Sequence, residues 1–213
     1  MYFEQSRPDI RNELRYSLEN HQHQKKILSF LRSNLPEITN KLIESAGANL
    51  KDYEEDDITG DINNFLNDKL RESSGYLFRF EAKRGPDILI FASPYQSFSN
   101  PLFVIEAKRL PPTSKLDYVR RGIGRFKNGE HGAQHDIAAM LGYIQDKDFD
   151  YWYKEINGWI DGLIGDVNQN PKWEMQDKLN KINVAPLGEY GSKHSRKEKG
   201  PIALCHFWLN FCN

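Results

Sequence analysis

Two apolar runs of strand length, Asp87-Ile88-Leu89-Ile90-Phe91 and Leu102-Phe103-Val104-Ile105, stand close enough in the chain to pair as a hairpin. Asp87 opens the first run, and Glu106-Ala107-Lys108 closes the second, so pairing brings these charges to one place. Side chains alternate along a strand, which puts Glu106 and Lys108 on one face and Ala107 on the other. Two carboxylates and an ammonium on one patch of sheet are costly to hold there without a partner. A divalent cation is a natural partner, and it is also what phosphodiester hydrolysis needs.

The pair Pro86-Asp87 and the tripeptide Glu106-Ala107-Lys108, with 18 residues between them, resemble the PD-(D/E)xK nuclease superfamily, the restriction-endonuclease-like fold. The tripeptide alone is weak, since Glu81-Ala82-Lys83 is a second copy in the same chain. The later copy follows an apolar strand and has Pro-Asp upstream at hairpin distance, and the earlier one does not. The competing reading makes Asp87 a turn residue after Gly85-Pro86, with Glu106 and Lys108 a surface ion pair on an edge strand. The resemblance implies an α/β core of helix, three-stranded meander, helix and further strand. It also implies hydrolysis of nucleic acid, DNA favoured, with Mg²⁺ or Mn²⁺. Asp87 and Glu106 would bind the metal through carboxylate oxygens, as hard cations prefer, and the Ala107 carbonyl would add a ligand. Lys108 would orient or deprotonate the attacking water, or stabilise developing charge. Two other readings stay open: a nucleic-acid-binding or partner-dependent member of the fold without catalysis of its own, and a protein-interaction domain.

The core elements can be sought around the hairpin. Ile58, Ile62, Phe65, Leu66 and Leu70 space a helix from about Asp56 to Leu70, preceded by acids that suit a helix N-terminus. In many members of the superfamily this helix donates a further carboxylate. Glu55 lies on the face of Ile58 and Ile62, with Glu54 and Asp61 as weaker candidates. Tyr76–Phe80 reads as a strand. Beyond Pro111-Pro112 come a basic helix near Leu116–Phe126 and another helix from about Ala133 to Gln145. That last helix would set Gln134 on the face of Ile137, Leu141 and Ile144, lining the site. The glycines 122, 124, 129 and 132 read as loop and helix-boundary residues, because no strand and GK[ST] frame a phosphate loop.

The whole chain has a formal net charge of −1, yet between Ile105 and Lys127 seven basic residues stand against two acidic ones. Such a concentration beside a phosphodiesterase site is the footprint of a nucleic-acid backbone, with Arg120, Arg121, Arg125 and Lys127 as its contacts. Further on, Ser192–Lys197 reads as a basic hairpin loop in which Lys193, His194 and Arg196 can touch phosphate. Arg125-Phe126, Met140–Tyr143 and this loop loosely resemble a group of small bacterial proteins, many beside restriction or phage-defence systems.

Residues 1–50 read as polar helices with thin apolar stripes, Ile10, Leu14 and Leu18, then Ile27, Leu28 and Leu31, broken near Pro36. Thin stripes favour an extension packed on a domain of residues 51–213, in one compact unit, over a dimerisation arm or a DNA-reading element. Trp152, Ile156, Trp159 and Leu163 space a helix whose aromatics pack rather than stack on bases. Strands at Lys181–Leu187 and Ile202–Phe211 then make a C-terminal β-hairpin. No apolar run is long enough to cross a membrane and no signal peptide is apparent, so a cytoplasmic protein is expected. Cys205 and Cys212 would stand roughly 23 Å apart on an extended strand, too far for an internal disulfide. Double-strand cleavage would favour a homodimer or a partner protein.

Overall fold

The computed structural model describes residues 10–46, 50, 52–72, 78–82, 85–92, 101–110, 116–196 and 199–212. It is a mixed α/β protein in which helices cover both faces of one seven-stranded sheet, ordered β1-β2-β3-β4-β7-β6-β5. The strands are β1 (Phe78–Ala82), β2 (Ile88–Ala92), β3 (Phe103–Leu110), β4 (Ile137–Ile144), β5 (Asn180–Asn183), β6 (Gly188–His194) and β7 (Ile202–Asn210). The central pairs β3-β4 and β4-β7 are parallel, and the outer pairs on each side are antiparallel. Among the described residues no helix is long and apolar enough to cross a membrane.

On one face lie α1 (Ile10–Ala46) and α2 (Glu55–Glu72). The expected stripe of α2 is buried at Ile58, Ile62, Leu66 and Leu70, with acids in its first turn and Lys69 and Arg71 in its last, as the helix dipole favours. The expected break at Pro36 does not occur, and α1 is one helix through it. An interior proline costs about 3 kcal/mol. Ile27, Leu31, Leu35, Ile38 and Leu42 form one buried stripe on both sides of it. At about 1.5–3 kcal/mol per buried side chain, that stripe outweighs the proline. It shares a single core with α2 and the sheet, including Ile105, Ala107, Leu141 and Phe207. The earlier stripe of Ile10, Leu14 and Leu18 falls outside the residues whose side chains are described.

The other face is covered by a π-helical turn (Tyr118–Ile123) running into α3 (Gly124–Lys127), and by α4 (Phe149–Ile164). The Asp148 side chain caps α4, accepting from the Tyr151 N–H at 2.7 Å. Trp152, Ile156, Ile160 and Leu163 are buried, so the packing reading of that helix holds.

Two expected elements are corrected. The helix over 133–145 is the strand β4, paired in parallel on both sides. A continuous apolar run fits a buried parallel strand as well as a helix, and its period cannot separate them. The expected C-terminal hairpin is three strands, because the first half of the presumed loop 192–197 belongs to β6. Gly188, Gly191 and Ser192 give that strand weak propensity, and pairing with β7 supplies what propensity does not. Tyr76, Leu77, Lys83, the prolines 111 and 112 and Lys115 lie outside the described residues. Cys205 is a free thiol.

Candidate active site on β3 beside the start of β2

The register Ile88↔Ile105 sets Asp87 beside Glu106. Alternation does the rest. Ala107 is buried in the core under α1 and α2, while Val104 packs on the opposite face, which Glu106 shares. The hairpin therefore delivers the arrangement expected of Asp87, Glu106 and Lys108.

Lys108 is the hub. Its Nζ stands 2.6 Å from Glu55 Oε1, 3.1 Å from Glu106 Oε1 and 3.7 Å from Asp87 Oδ2. It also donates to the Ala107 carbonyl. The helix-borne carboxylate is Glu55, whose second oxygen accepts the Arg109 backbone N–H at 2.8 Å. Glu54 instead faces outward and pairs with the Arg109 guanidinium at 2.7 Å. Asp87 Oδ2 accepts from the Ala107 N–H at 2.6 Å, which ties β2 to β3 through the site. Of the rival tripeptide, Glu81 and Ala82 lie on β1, with Glu81 opposite Leu89.

Glu106 is fully buried and surrounded by cations. Arg125 donates to its Oε1 at 2.7 Å. His131 Nδ1 lies 2.9 Å from its Oε2, but off hydrogen-bond alignment, so both atoms are buried without a hydrogen bond. Gly122 lets the π-helical turn close over the site, since a Cβ there would meet the Met140 methyl and stand 3.4 Å from Lys108 Cγ.

The electrostatics follow from this packing. Burial, and then the charge of Glu106, push Asp87 up to about 6 against the pull of Lys108 and the Ala107 N–H. Burial pushes Glu106 upward too, but His131 and Lys108 hold it below the ordinary carboxylate range. Burial lowers Lys108, yet Glu106, Asp87 and Glu55 more than offset it, so the amine stays firmly protonated. A protonated Lys108 suits charge stabilisation and not proton abstraction.

The donors around Lys108 are three carboxylates and a carbonyl, all hard oxygens that suit Mg²⁺ or Mn²⁺. Glu106 Oε2, buried without a hydrogen bond, is the atom such an ion would satisfy. Among the described residues, these carboxylates included, no three carboxylate, imidazole or thiol groups gather closely enough to hold a metal ion as they stand.

Of the expected nucleic-acid contacts, Arg120, Arg121 and Lys193 are exposed. Lys127 and His194 are corrected, because both are buried. Lys127 is 1% exposed and bonds both oxygens of Asp177 at 3.0 Å. His194 is fully buried between Asp177 and Ser192. Arg196 donates to the Gly200 and Gly132 carbonyls, which ties down the loop before β4. Arg125 is engaged by Glu106, and Gln134 sits exposed in a turn ahead of β4 rather than on a helix face. Sequence reasoning had no signal for His131, a lone histidine in a glycine-flanked loop that the fold carries to Glu106. Comparison with protein families, with curated proteins and with solved structures finds no match to this chain.

Proposed function

We propose that this chain is a metal-dependent nuclease with a restriction-endonuclease-like core, hydrolysing phosphodiester bonds in nucleic acid, with DNA as the favoured substrate. The observation that carries the reading is the convergence of Glu55, Asp87, Glu106 and the Ala107 carbonyl on one cation, the Lys108 ammonium. Four oxygens drawn from a helix, the residue before β2 and the middle of β3 make a cage for positive charge beside the sheet. The element order from α2 through β1, β2, β3 and the helical segment to β4 is also the order the motif leads one to expect.

In this reading Asp87, Glu106, the Ala107 carbonyl and Glu55 hold Mg²⁺ or Mn²⁺. When bound, such an ion lowers the pKa of a coordinated water and neutralises charge on the phosphate. Lys108 turns from the carboxylates toward the scissile phosphate and stabilises the charge that develops there. Arg125 keeps Glu106 oriented through its contact with Oε1. Arg120, Arg121 and Lys193 supply phosphate contacts that fix the strand without reading its sequence.

One observation favours a second reading, a nucleic-acid-binding member of the fold without catalysis. Lys108 and Arg125 already compensate the carboxylates, so the cluster is complete as a salt-bridge network. Cleavage assays separate the two. Purified chain is incubated with single- and double-stranded DNA and RNA in Mg²⁺, Mn²⁺ or EDTA. Metal-dependent cutting that disappears in Asp87→Ala and Lys108→Ala is expected. Binding without cutting, unchanged by those substitutions, would sink the nuclease reading.

A further inference from the structure

Glu106, Met140 and His206 stand in one row across β3, β4 and β7, and Lys108, Gly142 and Trp208 stand in the next. His206 and Trp208 are thus two strand spacings, about 10 Å, from the two charged residues of the site. They begin a chain of buried polar groups. Trp208 Nε1 donates to the Tyr118 hydroxyl at 2.9 Å, and that hydroxyl meets His206 Nδ1 at 2.8 Å. His206 Nε2 meets Ser192 Oγ at 2.8 Å, and Ser192 Oγ meets His194 Nε2 at 2.6 Å. His194 Nδ1 meets Asp177 Oδ1 at 2.5 Å, and Lys127 closes the far end on both Asp177 oxygens.

Proton counting gives this chain one direction. An indole N–H can only donate, so the Tyr118 hydroxyl accepts from Trp208 and must give its own proton to His206 Nδ1. Burial keeps the His206 and His194 imidazoles neutral. His206 therefore carries its proton on Nε2 and donates to Ser192. Ser192 donates to His194 Nε2, and His194 donates from Nδ1 to the ionised Asp177. Any reversal leaves a buried proton without an acceptor. Asp177, His194 and Ser192 have the connectivity of a hydrolytic triad. The Ser192 oxygen, however, is buried and already accepts from His206, so it is no nucleophile.

Tyr118, next to the Trp208 end of the chain, and Lys127, its other end, are also the two ends of the helical segment that covers the site. Between them, Gly122 lies against Lys108 and Arg125 reaches Glu106. We propose that this chain is the positioning device of the site: by pinning residues 118 and 127 to β6 and β7, it holds Arg125 on Glu106. Its members are positioning residues, and their catalytic readout rests on the nuclease reading.

The test is side-chain nitrogen NMR of the full chain, alongside Ser192→Ala and Ser192→Thr. Expected in the parent are neutral rings protonated at Nε2 of His206 and at Nδ1 of His194, with a resolved Arg125 guanidinium signal. Ser192→Thr keeps the hydroxyl and should keep all three. Ser192→Ala should broaden or shift the Arg125 signal into that of a solvent-exposed arginine. In the cleavage assay it should lower kcat about tenfold, as misplacement of a catalytic group does, with KM changed less than twofold. Opposite tautomers in the parent, or a Ser192→Ala protein with unchanged Arg125 signal, would overturn the inference. Absence of cleavage by the parent with the expected NMR pattern would count against the nuclease reading and leave the positioning chain standing.

Discussion

Replacing Asp87 with asparagine should make the metal-free protein more stable while removing its activity. Asp87 is pushed up to about 6 from 3.8, chiefly by burial and by Glu106. A rise of about two units corresponds to about 3 kcal/mol by which ionised Asp87 opposes folding at neutral pH. Because the folded value is the higher one, the carboxyl costs nothing below about pH 4. The cost grows as pH rises through the window between 3.8 and about 6 and is constant above it. Asparagine keeps an oxygen to accept the Ala107 N–H and carries no charge. Urea denaturation in EDTA should therefore show Asp87→Asn more stable by ~3 kcal/mol near pH 8, by about half that near pH 5, and by nothing near pH 3.5. A variant no more stable than the parent at pH 8, or one whose gain does not change with pH, would refute the reasoning. Together with lost cleavage, the expected result would mark Asp87 as kept for function at the expense of the fold.

Other perturbations probe the remaining parts. Lys127→Met leaves Asp177 buried without its ammonium, and urea denaturation should show a loss of about 3–5 kcal/mol, which excludes a surface role for this lysine. Arg121→Ala, at an exposed position, should change stability by less than about 0.5 kcal/mol. The same substitution should reduce the salt dependence of DNA binding by about one phosphate contact, read from affinity against salt concentration. Gly142→Ala drives a Cβ into the Trp208 indole and should cost about 1–3 kcal/mol. Gly158→Ala in α4 meets nothing within 4 Å and should stabilise by about 0.5–1 kcal/mol, both by thermal or urea unfolding.

Much of the site was legible because it depends on local rules. The period of two along β3 sent Glu106 and Lys108 to one face, and hairpin pairing brought Asp87 opposite. Helical phase alone carried Glu55 to Lys108. The reading faltered where one pattern fits two structures. Ile137–Ile144 is apolar throughout, and only its parallel neighbours on both sides make it a strand. Gly188–His194 has composition that favours a loop, yet β7 holds it in the sheet.

Charge was the least readable property. Lys127, Arg125, Arg196 and His194 look alike as members of basic runs, and burial gives them different fates. Lys127 and His194 are locked on Asp177, Arg125 on Glu106, and Arg196 on backbone carbonyls. A basic residue takes the nearest buried acceptor, because leaving that acceptor unpaired in the interior costs more than a surface contact gains. Chain order and side-chain period were enough to name Asp87, Glu106, Lys108 and Glu55, since those relations are short-range along a strand or helix. Which cations serve the site, and how His131 and the Trp208-to-Lys127 chain come to it, depended on long-range packing. Those partners lie up to 90 residues apart along the chain, a separation at which no local period operates.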